Sequence, residues 1–197
     1  MIAQRPARSA PVARAIAERL PFADTSFEVV LAVLTVHHWL DPAGGLAELR
    51  RVAPRQVVVT FDREATNAFW LVRDYLPELR ERVWAQSAVE DVVANLDARE
   101  VVILEVPRTC RDGFMGAMWA EPAAYLEPAT RAAMSGLSLL DADVVDRAMR
   151  QLAADIADGT WERRNAELAS RQSLDVGFRL VVAGQAAPRV AASLPMR

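Results

Sequence analysis

Lysine is absent from this sequence of 197 residues, in which all 23 basic residues are arginines and 26 residues are acidic. Because contacts to nucleic-acid phosphates need clustered lysine and arginine, the net charge of −3 argues against a general nucleic-acid binder. With 52% hydrophobic and 25% charged residues, the composition is that of a globular protein with one good core. A small-molecule substrate is therefore favoured over nucleic acid as the partner.

Cysteine is nearly absent as well, since Cys110 is the only one. A single thiol excludes an internal disulfide and a cysteine-rich zinc site, and it fits a reducing, cytoplasmic location. Long hydrophobic runs are also missing, because no stretch approaches the roughly 18 uninterrupted apolar residues that a membrane-spanning helix needs. The sequence thus predicts a cytoplasmic protein with no membrane partner.

A βαβ unit is the first feature that the sequence does contain. A continuous run of β-branched and apolar residues over Phe27–Leu34 predicts a strand covered on both faces. Asp41 then caps a short amphipathic helix that has Pro42 at its first position. A second β-branched run over Gln56–Phe61 follows, so we predict two parallel strands joined by a helix. An earlier apolar segment, Val12–Ala17, is a further strand candidate.

Helical patterns follow this unit. The sequence predicts a helical stretch over Phe69–Trp84 that is interrupted at Pro77. A second helix is predicted to begin at a capping box formed by Ser87 and Glu90 and to run to about Leu96. A strand is then predicted over Val101–Val106.

The last third of the chain contains one clear strand. From about residue 112 to 169 no strand signal occurs, which predicts a helical insert. Residues 174–182 alternate, with Leu, Val, Phe, Leu and Val on one side, and this pattern predicts a half-exposed antiparallel edge strand. We therefore predict one domain over residues 1–183 and a flexible tail over residues 184–197.

Three stretches near the start carry a family likeness. They read AERLPFADTSFEVV over residues 17–30, HHWLD over residues 37–41 and LAELRRV over residues 46–52. In order and spacing they resemble the type 11 subgroup of class I S-adenosylmethionine-dependent methyltransferases. That pattern reads roughly A-E-x-L-P-F-x-D-x-S-F-D-x-V, then H-H-x-x-D, then L-x-E-x-x-R-V. The likeness continues through Phe69–Leu71 and Leu174–Leu180 and so covers most of the chain.

The resemblance implies both a fold and an activity. The fold is α/β, with the Rossmann-like sheet of class I methyltransferases, mostly parallel with an antiparallel last strand, plus the helical insert. The activity is transfer of a methyl group from the cofactor S-adenosyl-L-methionine to a small-molecule acceptor that the sequence does not identify. One alternative stays open, namely a non-catalytic truncated remnant or interaction module that no longer binds the cofactor.

The sequence departs from the family pattern in three places. Glu28 replaces an Asp, and Ile16 stands where many relatives have an Asp able to bond to the adenine amino group. The third departure is a missing G-x-G-x-G loop, which lets the backbone approach the cofactor in Rossmann-like sites; the first glycine here is Gly44. We therefore expect Met1 to be an internal methionine of a longer protein that lacks roughly 30 to 50 residues, about one βαβ unit. Either a mis-called start or a truncated gene would explain this.

The resemblance also implies where the cofactor is held. With no Asp at Ile16, adenine recognition would rest on backbone groups near Ala17 and Glu18. Thr35 and Val36, which end the first strand, would lie beside the methionine portion of the cofactor. For this second pair, ordinary strand termination is the alternative interpretation.

His37 and His38 are the only histidines, and they follow the same strand. In open α/β sheets ligands bind beyond the carboxyl ends of the strands, and histidine suits general-base chemistry near neutral pH. Both are therefore candidate catalytic residues, although methyl transfer from a sulfonium can also proceed by positioning alone. The alternative is structural, with one histidine in the core and the other capping a loop. No metal site is expected, because adjacent strand side chains point to opposite faces and no third histidine completes a ligand set.

Aromatic side chains are candidates for an apolar substrate pocket. The predicted contacts are Trp39, Trp70 and Trp119. Other aromatic residues that qualify are Phe69, Tyr75, Phe114 and Tyr125. Core packing is the alternative, because aromatic residues at helical spacing are more often buried.

The missing first strands have a structural consequence. The segment that begins at Val12 is expected to be displaced or poorly paired, and the strand over Phe27–Leu34 becomes a long apolar sheet edge. Because such an edge is a template for pairing with another chain, we expect self-association through it.

Overall fold

A computed structural model describes residues 10–82 and 89–185. The strands in these parts are β1 (Val30–Val33), β2 (Arg55–Phe61), β3 (Glu100–Ile103), β4 (Val106–Pro107), β5 (Ser173–Leu174) and β6 (Phe178–Gly184). The α-helices are α1 (Pro42–Val52), α2 (Arg63–Ala68), α3 (Leu79–Arg82), α4 (Val89–Leu96), α5 (Pro128–Ala132), α6 (Ala142–Ala157) and α7 (Thr160–Arg164). The predicted capping residue Ser87 and the tail from residue 186 onward lie outside the described residues.

The main sheet has four strands in the order β1-β2-β6-β3. β1 and β2 are parallel, and β6 is antiparallel to both β2 and β3. β1, β2 and β3 therefore run in one direction and only the last strand opposes them, which confirms the predicted α/β sheet. β4 and β5 form a separate two-stranded ribbon.

The prediction that the last strand lies at an edge is wrong. β6 lies between β2 and β3, and its more buried side chains are Arg179, Val181 and Ala183 rather than the apolar set that includes Leu180 and Val182. Alternating apolar and polar residues indicate that one face of a strand is more buried than the other. They do not indicate whether another strand pairs with each of its edges. A helix-covered face explains the pattern in β6 as well as an edge position does.

The first strand is shorter than predicted. β1 covers four of the eight residues over 27–34, because the Phe27 N–H binds the carbonyl of Val52 and Leu34 turns out of the strand with φ of +50°. The predicted strand Val12–Ala17 does not form, and its one bridge joins Ile16 to Arg19 in a tight turn. This segment is unpaired with the sheet, as expected.

The helix predicted after Asp41 is confirmed. Asp41 accepts a hydrogen bond of 3.0 Å from the Gly44 N–H, and Pro42 takes the first helical position. The predicted interruption at Pro77 is confirmed, because a π-helical turn over Leu71–Tyr75 ends just before it and α3 begins just after it, at Leu79. Trp84, the predicted end of this helical stretch, lies outside the described residues. The predicted strand over 101–106 is also split, and its two parts pair with different partners as β3 and β4.

Helices pack against the sheet and against one another in two cores. In the smaller core, α1 and α4 cover one face of the sheet, with Val58 and Val181 fully buried at its centre. The larger core joins the π-helical turn to the helical region over residues 112–169, which contains α5, α6 and α7 and no strand. Among the described residues, no helix is both long and apolar enough to cross a membrane.

The opposite face of the sheet, here called the open face, is apolar but belongs to neither core. Leu31 and Val33 of β1 are 61% and 47% exposed. Val57, Val59, Leu180 and Val182 on this face are half-buried, and Val102 of β3 is 38% exposed. No strand in the described residues lies beyond β1, so the apolar face ends at an open strand edge.

The loop before β1 is held to α1 by one ion-paired arginine. The Arg51 guanidinium donates to the Glu48 carboxylate at 2.7 and 2.8 Å and to Asp24 at 2.8 Å. It also donates to the carbonyls of Leu20 and Phe22, and Glu48 accepts the Leu20 N–H at 2.8 Å. The hydrogen bond from Arg51 lowers the pKa of Glu48 from 4.5 to about 2.

We propose that the open edge of β1 pairs with β1 of a second copy, since an uncharged strand edge is a template for pairing. Light scattering of the purified protein should give a mass above that of the 21.7 kDa chain. Leu31→Glu places a charge on this edge and should shift the mass toward the monomer. Leu40→Glu is the matched control, because Leu40 is 99% exposed and lies in no strand. A wild-type protein that is monomeric at tens of micromolar would contradict the proposal.

Protonation of Glu48 should weaken the fold in acid. Because its pKa is lower in the folded protein, its contribution is fully present above pH 4.5 and is lost as the pH falls toward about 2. Glu48→Gln should therefore lower the free energy of unfolding at pH 7, and the difference from wild type should shrink between pH 4.5 and 2. Urea denaturation at several pH values measures this, with the exposed Glu121→Gln as control. A difference that does not change with pH would show that the Glu48 carboxylate is not responsible.

Candidate active site

The carboxyl ends of the parallel strands β1 and β2 meet at one edge of the sheet. The chain leaves β1 at Leu34, whose N–H still binds the carbonyl of Val59 at 2.9 Å. A branched residue at φ of +50° is an outlier that costs about 1–3 kcal/mol, and such strain clusters at functional sites. The turn it produces leads directly into a short 3-10 helix over Val36–His38.

The predicted catalytic histidines lie on this 3-10 helix. Their ring centroids are 3.9 Å apart, with His37 half-buried and His38 exposed. Burial, assisted by repulsion from His38, lowers the pKa of His37 below its ordinary value of 6.5. Its imidazole is therefore neutral near pH 7 and able to accept a proton. The same placement also agrees with the structural alternative, so the catalytic assignment stays a prediction.

The two residues predicted beside the methionine portion of the cofactor differ in their exposure. Thr35 is exposed at the end of β1, whereas Val36 is 1% exposed and packs in the smaller core. Only Thr35 thus presents its side chain to a ligand, and a contact by Val36 would have to come from its backbone.

The residues predicted near adenine lie on a tight turn closed by the Arg19 N–H and the carbonyl of Ile16 at 3.2 Å. Ala17 and Glu18 form the tip of this turn and are both partly exposed. The Glu18 carboxylate accepts the backbone N–H of Asp41 at 3.0 Å, and this hydrogen bond lowers the pKa of Glu18. The structure therefore joins this turn to the segment just after the two histidines.

The three predicted pocket tryptophans lie apart. Trp39 is half-buried over Gly45, where a Cβ atom would approach its ring to 2.4 Å. Trp70 and Trp119 are 3% and 0% exposed in the larger core, and their indole N–H groups donate to the carbonyls of Trp119 and Val106 at 2.9 Å. Burial and satisfied donors favour the alternative of core packing for Trp70 and Trp119, and their contact with a substrate stays a prediction.

Other aromatic rings lie at the strand ends, and sequence reasoning missed two of them. Phe61 ends β2, and its ring centroid lies 5.5 Å from that of His37. Phe178, its direct partner on β6, lies 5.4 Å from Phe61, and Phe114 lies 5.2 Å from Phe178. We call His37, Phe61, Phe178 and Phe114 the aromatic row. The signal for Phe61 was its position at the carboxyl end of a predicted parallel strand.

A buried ion pair network fixes the backbone beside this row. The Arg179 side chain is 8% exposed and binds Asp62 and Asp175, each at 2.8 Å. Asp62 also caps α2 through the Ala65 N–H at 2.9 Å, and its own N–H binds the carbonyl of Gly177 at 2.7 Å. Burial raises the pKa of Asp175, but hydrogen bonds from Arg179 outweigh it and leave that pKa below its ordinary value. The Asp175 carboxylate is therefore charged and paired at neutral pH.

Metal chemistry has no support from the geometry of the described part of the chain. There, no group of three or more His, Cys, Asp or Glu side chains is arranged to hold a metal ion.

Comparisons with known proteins agree with the sequence motifs. A family model described as a methyltransferase domain, of the type 11 group, matches residues 1–60 and so includes Ala17, Glu18, Thr35 and both histidines. A search of curated protein sequences gives no significant match.

Two solved structures resemble the fold. The first is a predicted methyltransferase from an antibiotic biosynthesis pathway of Anabaena variabilis ATCC 29413. It is 28% identical, with a TM-score of 0.76 over 86% of this chain and 71% of that one. The second, a predicted methyltransferase from Bacillus halodurans C-125, is 15% identical with a TM-score of 0.41 over 85% and 72% of the two chains, too low to support an argument. The family match over residues 1–60 and the first structural match together show that the start of this chain is similar to a methyltransferase domain and that the chain has a methyltransferase fold.

Proposed function

We propose that this protein transfers a methyl group from S-adenosyl-L-methionine to a small-molecule acceptor at the carboxyl ends of β1 and β2. One observation carries the proposal: the Glu18 carboxylate accepts a hydrogen bond from the N–H of Asp41. This bond joins the family-like segment over residues 17–30 to the one over residues 37–41, which contains both histidines. The Anabaena variabilis protein comes from an antibiotic biosynthesis pathway, which supports a small-molecule acceptor. A chain that binds no cofactor, the non-catalytic alternative, is an outcome of the first test below.

The residues at this edge fit part of the cofactor. The turn at Ala17 and Glu18 presents backbone groups suited to adenine, and exposed Thr35 presents a hydroxyl suited to the amino-acid portion. A glycine-rich loop is not available among the described residues, since no glycine precedes Gly44. In Rossmann-like sites a carboxylate further along the chain also holds the ribose hydroxyls. Two such hydrogen bonds are worth roughly 1.5–3 kcal/mol each, so binding without them would be about 100- to 10,000-fold weaker. A micromolar site would then become millimolar.

The chain's own groups position the acceptor and receive its proton. S-adenosylmethionine, when bound, supplies a methyl group on a sulfonium, and its departing thioether needs no acid. Holding donor and acceptor in line therefore provides much of the rate. In this proposal the half-buried His37, neutral near pH 7, takes the proton that the acceptor releases. Phe61 packs beside its imidazole and restricts the orientation of the ring.

Cofactor binding can be tested without an acceptor. Titration of isotope-labelled protein with S-adenosylmethionine should shift the backbone amide signals of residues 16–19 and 34–38, with millimolar affinity. Thr35→Val should weaken binding because it removes the exposed hydroxyl. Thr160→Val, in the distant α7, is the matched control. If no amide in these two segments shifts at 5 mM ligand, the chain does not bind the cofactor and the non-catalytic alternative holds.

Loss of His37 should slow methyl transfer more than loss of His38. Replacing a general base costs about 100- to 10,000-fold in rate, so His37→Gln should fall in that range and His38→Gln should stay within tenfold. Since the pKa of His37 is lowered, the wild-type rate should fall only as the pH drops below 6.5. Radiolabelled methyl transfer to a panel of phenols measures both effects. Equal losses in the two variants, or a rate independent of pH, would contradict the assignment to His37.

A further inference from the structure

We infer that the acceptor is an uncharged, flat aromatic molecule that binds against Phe61 and Phe178 with its reacting hydroxyl toward His37. This inference rests on the proposed function and adds the chemical class of the substrate.

The row is continuous and begins at the candidate base. Each step between neighbouring ring centroids, from His37 to Phe61 to Phe178 to Phe114, is 5.2–5.5 Å. Such spacing lies within the range in which aromatic rings attract one another edge-to-face or offset. A flat ring added to this row would gain the same contacts, whereas a saturated ring of equal size would gain only apolar burial.

The row is half-buried and lies at one end of the open face. Phe61 and Phe178 are cross-strand partners, in line with Val59 and Leu180 of that face. All three phenylalanines keep part of their surface accessible. Phe114 comes from the region after β4, so the helical part of the chain supplies the far end of the row. Ring surface that is only half-covered in the free protein can be covered by a ligand.

The charged residue that follows Phe178 on β6 is already paired and does not face the row. Arg179 alternates with Phe178 along β6, so its side chain points to the opposite face of the sheet. There it binds Asp62 and Asp175, which are 24% and 30% exposed. A charged acceptor would therefore lose its hydration without gaining a free counter-charge from these three residues. The surroundings favour a neutral acceptor, whose hydroxyl can release its proton to His37.

Binding of 2-naphthol in the absence of S-adenosylmethionine tests this inference, followed by aromatic NMR shifts. We expect 2-naphthol to bind and to shift the ring signals of Phe61 and Phe178. Removal of one aromatic contact should raise the Kd about 3- to 10-fold in Phe61→Leu and in Phe178→Leu. Phe61→Tyr keeps the ring and should bind nearly as well as wild type. Phe27→Leu is the matched control, because Phe27 is 42% exposed and packs on Phe22 away from the row.

Two further ligands separate the parts of the inference. The saturated 2-decalol should bind at least threefold more weakly than 2-naphthol, and the charged 2-naphthoate at least tenfold more weakly. The inference would be overturned if either ligand bound as tightly as 2-naphthol. It would also be overturned if Phe61→Leu and Phe178→Leu both bound 2-naphthol as tightly as wild type while their near-ultraviolet circular dichroism stayed native. Because no cofactor is present, this result is independent of the S-adenosylmethionine titration, and failure of the proposed function can be told apart from failure of the substrate class.

Discussion

The buried guanidinium of Arg179 is the constraint on which the rest of the structure depends. It carries a positive charge that is 8% exposed, so it is tolerable only while Asp62 and Asp175 stay within hydrogen-bond distance. Removing one partner from such a pair typically costs about 3–5 kcal/mol, because the remaining charge stays buried. Asp62 also caps α2. Its N–H binds the carbonyl of Gly177, and this hydrogen bond holds β2 and β6 in register. This network therefore fixes where β2 ends, where β6 begins and which rings face each other across them.

A second ionic network, around Arg51, fixes the other side of the same site. Three of its five hydrogen bonds attach the loop before β1 to α1, the other two go to Glu48 within α1, and Glu18 extends the attachment to the N–H of Asp41. The strained turn at Leu34 then directs the chain toward the end of β2, which brings His37 beside Phe61. The two networks share no residue, yet each positions one partner of that contact. Polar pairing outside the cores thus determines the geometry that apolar packing alone would leave loose.

Sequence reasoning identified the elements that are set locally. The helix after Asp41 and the strands around it follow from a cap, a proline and β-branched runs, all of which act within a few residues. The position of β6 inside the sheet did not follow, because alternation reports coverage of a face and not the neighbours of a strand. The burial of Trp70 and Trp119 depends on carbonyl groups of residues that only the fold brings close. Phe178 joined the site for the same reason, since its partner on β2 is 117 residues away.

The uncovered apolar face connects the proposed chemistry with the proposed association. Helices α1 and α4 cover one side of the sheet, and the other side keeps Leu31 and Val33 largely in water. Apolar surface of this kind is unfavourable unless something covers it, at about 25 cal/mol for each Å². At the carboxyl ends of the strands the surface is aromatic and lies beside a neutral histidine, which suits a small flat ligand. At the outer edge of β1 it is aliphatic and bordered by open backbone groups, which suits another strand. The residue types on this exposed face therefore separate it into two regions: an aromatic one suited to a ligand and an aliphatic one suited to pairing with another strand.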